Sequence, residues 1–181
     1  MKNLKRPSIM VMTQFISEIK SPFNTPLSPK KAVVVTPKFT ANEILNDNIS
    51  HGSLWIGNYS DSLVAHKHGI HCVINLADEC KTPVQKNNYS SYYHYHLFDK
   101  SNFTITHYLN EITNLINEMI ESGKQVLVHC REGISRSPAF IIAYLIKFKK
   151  MIYDDAYEFV NKHREKIALN FGFRDELQNY H

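Results

Sequence analysis

From residue 53 onward the chain alternates between strand-like and helix-like segments, which predicts an α/β domain: a central, mostly parallel sheet flanked by helices. Two segments carry the prediction. Gln125-Val126-Leu127-Val128-His129 is a short β-branched run of the kind buried at the centre of a parallel sheet. Ile105 to Ser122 places Leu109, Ile112, Leu115, Ile116, Met119 and Ile120 on one face at helical spacing, a stripe that needs a covering layer.

The remaining elements follow in chain order. The 181 residues allow one domain and a tail. Residues 1–42 are expected to be a basic, proline-containing tail and residues 43–181 the folded domain, beginning near Ile44. Five of the seven prolines lie in the first 37 residues, whereas all six glycines lie beyond residue 51. Each proline in Ser21-Pro22-Phe23-Asn24-Thr25-Pro26-Leu27-Ser28-Pro29-Lys30 also drives its predecessor out of the α region, so this stretch reads as an extended linker. Before it, Ile9, Met12, Phe15, Ile16 and Ile19 recur at helical spacing, and a short amphipathic helix here would pack on the domain or form a homodimer with a second copy. Within the domain, Leu54-Trp55-Ile56 is a strand, Asp61 to His68 a helix, His71 to Leu76 a strand and Tyr92 to Leu97 a third. The long helix ends at Gly123 as C-cap. Ser137 to Lys147 and Tyr153 to His163 are helices after the strand at 125–129.

Charge and cysteine usage narrow the class. Residues 1–40 hold seven Lys/Arg and one Glu, and the remainder holds fourteen against sixteen Asp/Glu, so the net charge of +4 belongs to the tail. The slightly acidic domain makes nucleic acid an unfavoured partner. Three cysteines, Cys72, Cys80 and Cys130, form an odd set without a close pair, which fits a reducing compartment, cytoplasm or nucleus. No apolar run approaches the length of a membrane span.

The segment His129-Cys130-Arg131-Glu132-Gly133-Ile134-Ser135-Arg136-Ser137 carries the chemistry. A core strand running through a loop into a helix offers unpaired amides and partial positive charge to an anion. Arg131, Glu132, Gly133, Ile134, Ser135 and Arg136 are therefore expected to cup a phosphate. Gly133 permits a backbone conformation that a side chain resists, and Arg136 adds a planar fork for two oxygens. At the base of this nest the helix dipole, the amides and Arg136 all favour thiolate over thiol at Cys130. A thiolate that displaces an alkoxide from phosphorus needs a general acid. The candidate is Asp99, in Leu97-Phe98-Asp99-Lys100-Ser101-Asn102-Phe103, after a strand and before the long helix. A surface aspartate or an N-terminal helix capper is its alternative reading.

These residues resemble the signature of the dual-specificity protein phosphatases, in their small, atypical, vaccinia-phosphatase-related form, within the cysteine-dependent phosphatase superfamily. Gly133-Ile134-Ser135-Arg136-Ser137-Pro138 with Ala143-Tyr144-Leu145-Ile146, Leu54-Trp55-Ile56-Gly57-Asn58, Val73-Ile74-Asn75-Leu76, and Asn170-Phe171-Gly172-Phe173 with Leu177 extend the resemblance over roughly residues 50–180. The resemblance implies the cysteine-phosphatase fold, with Cys130 as nucleophile, Arg136 as phosphate clamp and Asp99 as acid and later base. It implies His129 orienting the loop, Ser137 assisting departure of the cysteine, a phosphocysteine intermediate, and no metal or other cofactor. The expected substrate is a phosphoprotein carrying phosphotyrosine or phosphoserine/phosphothreonine, with a MAP-kinase-like protein as one candidate. Glu132 at the pocket mouth argues against polyphosphoinositides, with Arg131 partly offsetting it.

Two other functions compete. An RNA 5′-triphosphatase would use the same Cys and Arg but often lacks a comparable acid. A non-catalytic phosphoprotein-binding module would be expected to have lost part of the catalytic set. In the tail, Ser21-Pro22, Thr25-Pro26, Ser28-Pro29 and Thr36-Pro37 have the form of proline-directed kinase sites, and Lys5-Arg6 with Ile9 and Val11 resembles a kinase-docking motif. Cys80 is a candidate for a reversible disulfide with Cys130, an ordinary loop thiol being the alternative. His94 and His96 share a strand face and are expected near the site mouth.

Overall fold

Five strands form one sheet: β1 (Asn42–Asn46), β2 (Ser53–Gly57), β3 (Cys72–Asn75), β4 (Ser91–His94) and β5 (Gln125–His129), in the order β1-β2-β5-β3-β4. The computed structural model describes residues 37–181. The β1–β2 pairing is antiparallel and the other three are parallel. β5 occupies the centre, with Val126, Leu127 and Val128 fully buried, as its unbroken apolar run requires of a strand covered on both faces.

The helices are α1 (Tyr59–Val64), continued by a 3₁₀ turn at Ala65–His68, then α2 (Thr106–Glu121), α3 (Arg136–Lys149), α4 (Tyr153–His163) and α5 (Phe171–Gln178). α3 is buried almost all round from Arg136 to Ile146 and packs against α2, α4 and α5 as well as β2 and β5. That placement explains why its apolar residues do not keep to one stripe. α2 buries Leu109, Ile112, Ile116, Met119 and Ile120 on the face its spacing marks out. It closes with a left-handed Gly123 (φ 76°). The Gly123 and Lys124 amides donate to the carbonyls of Ile120 and Met119 at 2.9 and 3.0 Å. This Schellman pattern satisfies carbonyls that the helix end would otherwise orphan.

Four features differ from the sequence expectations. β1 is a strand that its polar sequence, Asn42-Glu43-Ile44-Leu45-Asn46, does not announce, because Ile44 alone is fully buried. Contacts also reach N-terminal of it. Phe39 stacks on His68 at 4.1 Å, and the Thr40 amide donates to the buried Asp61 carboxylate at 2.5 Å. Asp61 simultaneously closes a capping box with Asn58 at the start of α1. β4 stops at His94 rather than running to Leu97, since its partner β3 ends at Asn75 and leaves only the Tyr95 amide to pair with the Asn75 carbonyl. Finally, α5 is too short to show periodicity and begins on a side-chain cap from Asn170.

The amphipathic segment at Ile9–Ile19, the proline linker, the kinase-site motifs and the docking motif lie outside the described residues. Among the described residues no helix is long and apolar enough to cross a membrane.

Candidate active site

The sheet register aligns Gly57, His129 and Asn75, so the loops after β2, β5 and β3 leave the sheet side by side. Cys130 follows β5 at this edge, where parallel sheets place ligands. The loop from Cys130 to Arg136 sorts its side chains by direction. Arg131, Glu132 and Ile134 are exposed, whereas Cys130, Gly133, Ser135, Arg136 and Ser137 are buried.

The Gly133 amide donates to Cys130 Sγ at 3.2 Å, and Ser137 Oγ lies 3.4 Å from the same sulfur. Gly133 sits at φ 73°, and a Cβ there would stand 2.6 Å from the Gly57 carbonyl oxygen. Only glycine combines that dihedral with that approach. Arg164, at the end of α4, donates from Nε to the Gly133 carbonyl at 2.8 Å and from Nη2 to the Glu132 carbonyl at 3.3 Å. Its Nη1 donates to Asn42 Oδ1 at 2.9 Å. With these carbonyls engaged by Arg164, the Gly133 amide is left facing the sulfur, as an anion nest needs.

His129 is fully buried, and its Nδ1–H donates to the Cys130 carbonyl at 3.2 Å. Burial pushes its pKa down to about 4, so the ring is neutral near neutral pH. Its contact with Cys130 is through the backbone.

Arg136 is 4% exposed along its side chain. Nη1 donates to Glu79 Oε2 at 2.7 Å and to the Leu97 carbonyl at 3.0 Å, and Nη2 donates to Glu79 Oε1 at 2.5 Å. Burial alone would lower the guanidinium pKa, but Glu79 and the other anionic neighbours raise it above its ordinary value. The Arg136 guanidinium reciprocally holds the Glu79 carboxyl below its usual range. Arg136 Nε is buried, has no hydrogen-bond partner among the described residues, and lies 3.9 Å from Asp99 Oδ2.

Asp99 closes the site from the loop between β4 and α2. Its Oδ1 accepts from Ser135 Oγ at 2.7 Å and from Asn170 Nδ2 at 2.8 Å. Both of these bonds fall on Oδ1, and Oδ2 is the oxygen nearer Arg136. Asn170 also caps α5, its Oδ1 accepting from the Phe173 amide at 3.0 Å. The loop approaches α5 so closely that a Cβ on Gly172 would meet the Ser101 carbonyl oxygen at 2.1 Å. Glu79, Asp99, Cys130, Arg131, Glu132, Ile134 and Arg136 line a cavity of about 270 Å³. A larger cavity of about 460 Å³ lies against the α3–α4 turn and the C-terminal residues, but it contains neither a thiol nor an arginine.

Cys130, Arg136, Asp99, Ser135 and Ser137 are thus brought together, with Gly133 shaping the loop. Arg131 and Glu132 pair with each other at 3.3 Å on the exposed rim, a contact of little energetic consequence. Cys80 is buried in a small cluster with Ala77 and Cys130, and burial pushes its thiol up to about 11. All three cysteines are free thiols. His94 and His96 lie under the loop that carries Glu79. His94 Nε2 donates to the Ala77 carbonyl at 2.9 Å, and His96 Nδ1 contacts Asp78 Oδ1 at 2.9 Å. Sequence reasoning missed Glu79, Asn170 and Arg164. Asn170 before Phe171 had the form of a cap, whereas nothing near Glu79 in the chain points to an arginine 57 residues away.

A thiol cradled by a loop amide between a parallel strand and a helix, beside a buried arginine and an aspartate, defines a cysteine-dependent phosphatase. The dual specificity phosphatase catalytic-domain model matches residues 54–181, and the chain belongs to this family, the dual-specificity protein phosphatases. Protein 123R of Invertebrate iridescent virus 6, whose name carries a tyrosine phosphatase assignment, is 33% identical over 131 residues, 71% of this chain and 87% of the viral one. Mouse dual specificity protein phosphatase 1 is 32% identical over 115 residues, 62% of this chain. This chain spans only 30% of that longer relative. Among solved structures, the human tyrosine phosphatase-like serine/threonine/tyrosine-interacting protein superposes with a TM-score of 0.65 at 32% identity, over 77% of this chain and 94% of the other.

Proposed function

We propose that Cys130, Arg136 and Asp99 hydrolyse phosphate monoesters on proteins in two steps. The Cys130 thiolate attacks phosphorus and forms the S–P bond, while the bond to the ester oxygen breaks. The departing oxygen takes a proton from Asp99 Oδ2, because Oδ1 is already engaged by two donors. Asp99, now a carboxylate, accepts a proton from water as the water oxygen attacks the phosphocysteine, breaking the S–P bond and releasing inorganic phosphate. The Ser137 hydroxyl, 3.4 Å from Sγ, stabilises the returning thiolate. Loop amides and the free edge of Arg136 supply the electrostatic stabilisation of the phosphoryl oxygens. The observation that carries this reading is the direct hydrogen bond from the Gly133 amide to Cys130 Sγ, inside the same small cavity as Arg136 and Asp99.

The substrate is a phosphoprotein, with phosphotyrosine and phosphoserine/phosphothreonine both accepted. A MAP-kinase-like protein suits the basic-hydrophobic motif of Lys5-Arg6, Ile9 and Val11, and a reducing compartment, cytoplasm or nucleus, suits three free cysteines. Aryl phosphate and phosphopeptides bearing each phosphoresidue test the activity directly. Turnover in the native enzyme that disappears in Cys130→Ser is expected, and Asp99→Ala should accumulate enzyme–substrate complexes. Turnover that survives Cys130→Ser refutes the scheme. Action on triphosphate-ended RNA alone transfers the assignment to RNA 5′-triphosphatase.

A further inference from the structure

We infer that Glu79 is the positioning residue that aims Arg136 at the phosphate. This rests on Arg136 as the oxyanion clamp proposed above. A guanidinium carries five N–H donors in three edges. Glu79 takes one from each terminal nitrogen, across the far edge, and the Leu97 carbonyl takes the second donor of Nη1. What remains is the edge formed by Nε–H and the outer hydrogen of Nη2. Nε is buried and without a partner among the described residues, on a side chain only 4% exposed. A buried, unpaired donor of a cation is costly unless a ligand satisfies it. The free edge is a two-pronged fork that matches two oxygens of a tetrahedral oxyanion.

Glu79 sits on a braced loop. The Asn75 side chain donates to the Cys80 carbonyl at 2.8 Å and accepts from the Ala77 amide at 3.0 Å. The Asp78 amide donates to the Leu97 carbonyl at 3.3 Å, the same oxygen that receives Arg136. His94 holds the Ala77 carbonyl. The carboxylate is therefore delivered at a fixed place, and the guanidinium is clamped at its far end.

The clamp also separates two groups that would otherwise combine. Asp99 Oδ2 stands 3.9 Å from Arg136 Nε. Released from Glu79, the guanidinium can turn its terminal fork onto Asp99. The oxygen that must protonate the leaving group would then be tied up, and the fork would be withdrawn from phosphate. Glu79 prevents both by saturating the far edge.

The test is tungstate affinity by calorimetry, with steady-state turnover of an aryl phosphate, on the full chain and on Glu79→Ala, Glu79→Gln and Glu79→Asp. Glu79→Ala and Glu79→Gln should weaken tungstate binding by roughly 10-fold or more, the scale of one hydrogen bond to a charged group. Glu79→Asp, which keeps two acceptors, should recover part of the loss. In an Arg136→Lys background, Glu79→Ala should add little, because the carboxylate acts through the guanidinium. Thermal unfolding of each variant separates loss of fold from loss of aim. Tighter tungstate binding in Glu79→Ala would show a carboxylate that competes with phosphate, and unchanged or fully additive effects would show no role. Each overturns the inference. Cys130-dependent turnover in the native enzyme alongside an unaffected Glu79→Ala sinks Glu79 alone, whereas absence of such turnover sinks the phosphatase scheme first.

Discussion

Replacing Asn170 by alanine should damage stability and the acid catalysis proposed for Asp99 together, and the two effects can be pulled apart. The Asn170 side chain accepts from the Phe173 amide at 3.0 Å as the cap of α5 and donates to Asp99 Oδ1 at 2.8 Å. Loss of the cap costs about 1 kcal/mol. The bond to Asp99 is to a one-third exposed carboxyl group, so its loss adds about 1 kcal/mol, the scale of one partly solvated hydrogen bond. Together these lower the melting temperature by roughly 4–8 °C for a domain of this size. Asn170→Ser retains an acceptor for the Phe173 amide but cannot reach Asp99, so it should recover about half of the stability that Asn170→Ala loses and still loosen the carboxyl proposed as the acid. Thermal unfolding and turnover of aryl phosphates with good and poor leaving groups read the two effects. Turnover should fall more steeply for poor leaving groups in both variants, since only these depend on protonation. Equal losses across leaving groups, or an Asn170→Ser as unstable as Asn170→Ala, would refute the double role.

Gly172→Ala should displace the loop carrying Asp99, because the new Cβ meets the Ser101 carbonyl oxygen at 2.1 Å; a destabilisation of about 1–3 kcal/mol in chemical denaturation checks this. Gly133→Ala should abolish most turnover, and an undiminished rate would show that the φ of 73° and the Gly57 contact do not shape the anion site. Burial holds His129 at about 4 against an ordinary 6.5, so the unfolded chain binds this proton first. Its contribution to stability is full above about pH 6.5 and is lost as pH falls toward 4. Denaturant titrations of His129→Gln should show a shallower decline across that window than the native chain, and an unchanged slope would count against the buried neutral ring.

What was legible in the sequence is what depends on neighbours along the chain. The β5 run, the α2 stripe with Gly123 behind it, and the loop from Cys130 to Arg136 each announce themselves within one element and its flank. Asp99 was legible by position, after a strand and before a helix. Glu79 and Asn170 were not, because their meaning lies in partners 57 and 71 residues distant and in a register that aligns Asn75 with His129. β1 stayed hidden for a different reason. A strand that buries one residue fully, at the edge of a sheet, leaves no alternation to read. The shortened β4 shows the converse, a strand-forming sequence whose partner ends first.

The division of the loop between outward and inward side chains has an evolutionary and practical consequence. Arg131, Glu132 and Ile134 stand in solvent around the opening, while the residues that shape the anion nest are buried beneath them. Rim and socket are therefore separable by substitution. Exchange of Glu132 or Ile134 can retune charge and apolar contact at the opening without disturbing the backbone that Gly133 and Arg164 hold, so recognition of the substrates proposed above can change while the proposed catalytic groups keep their places.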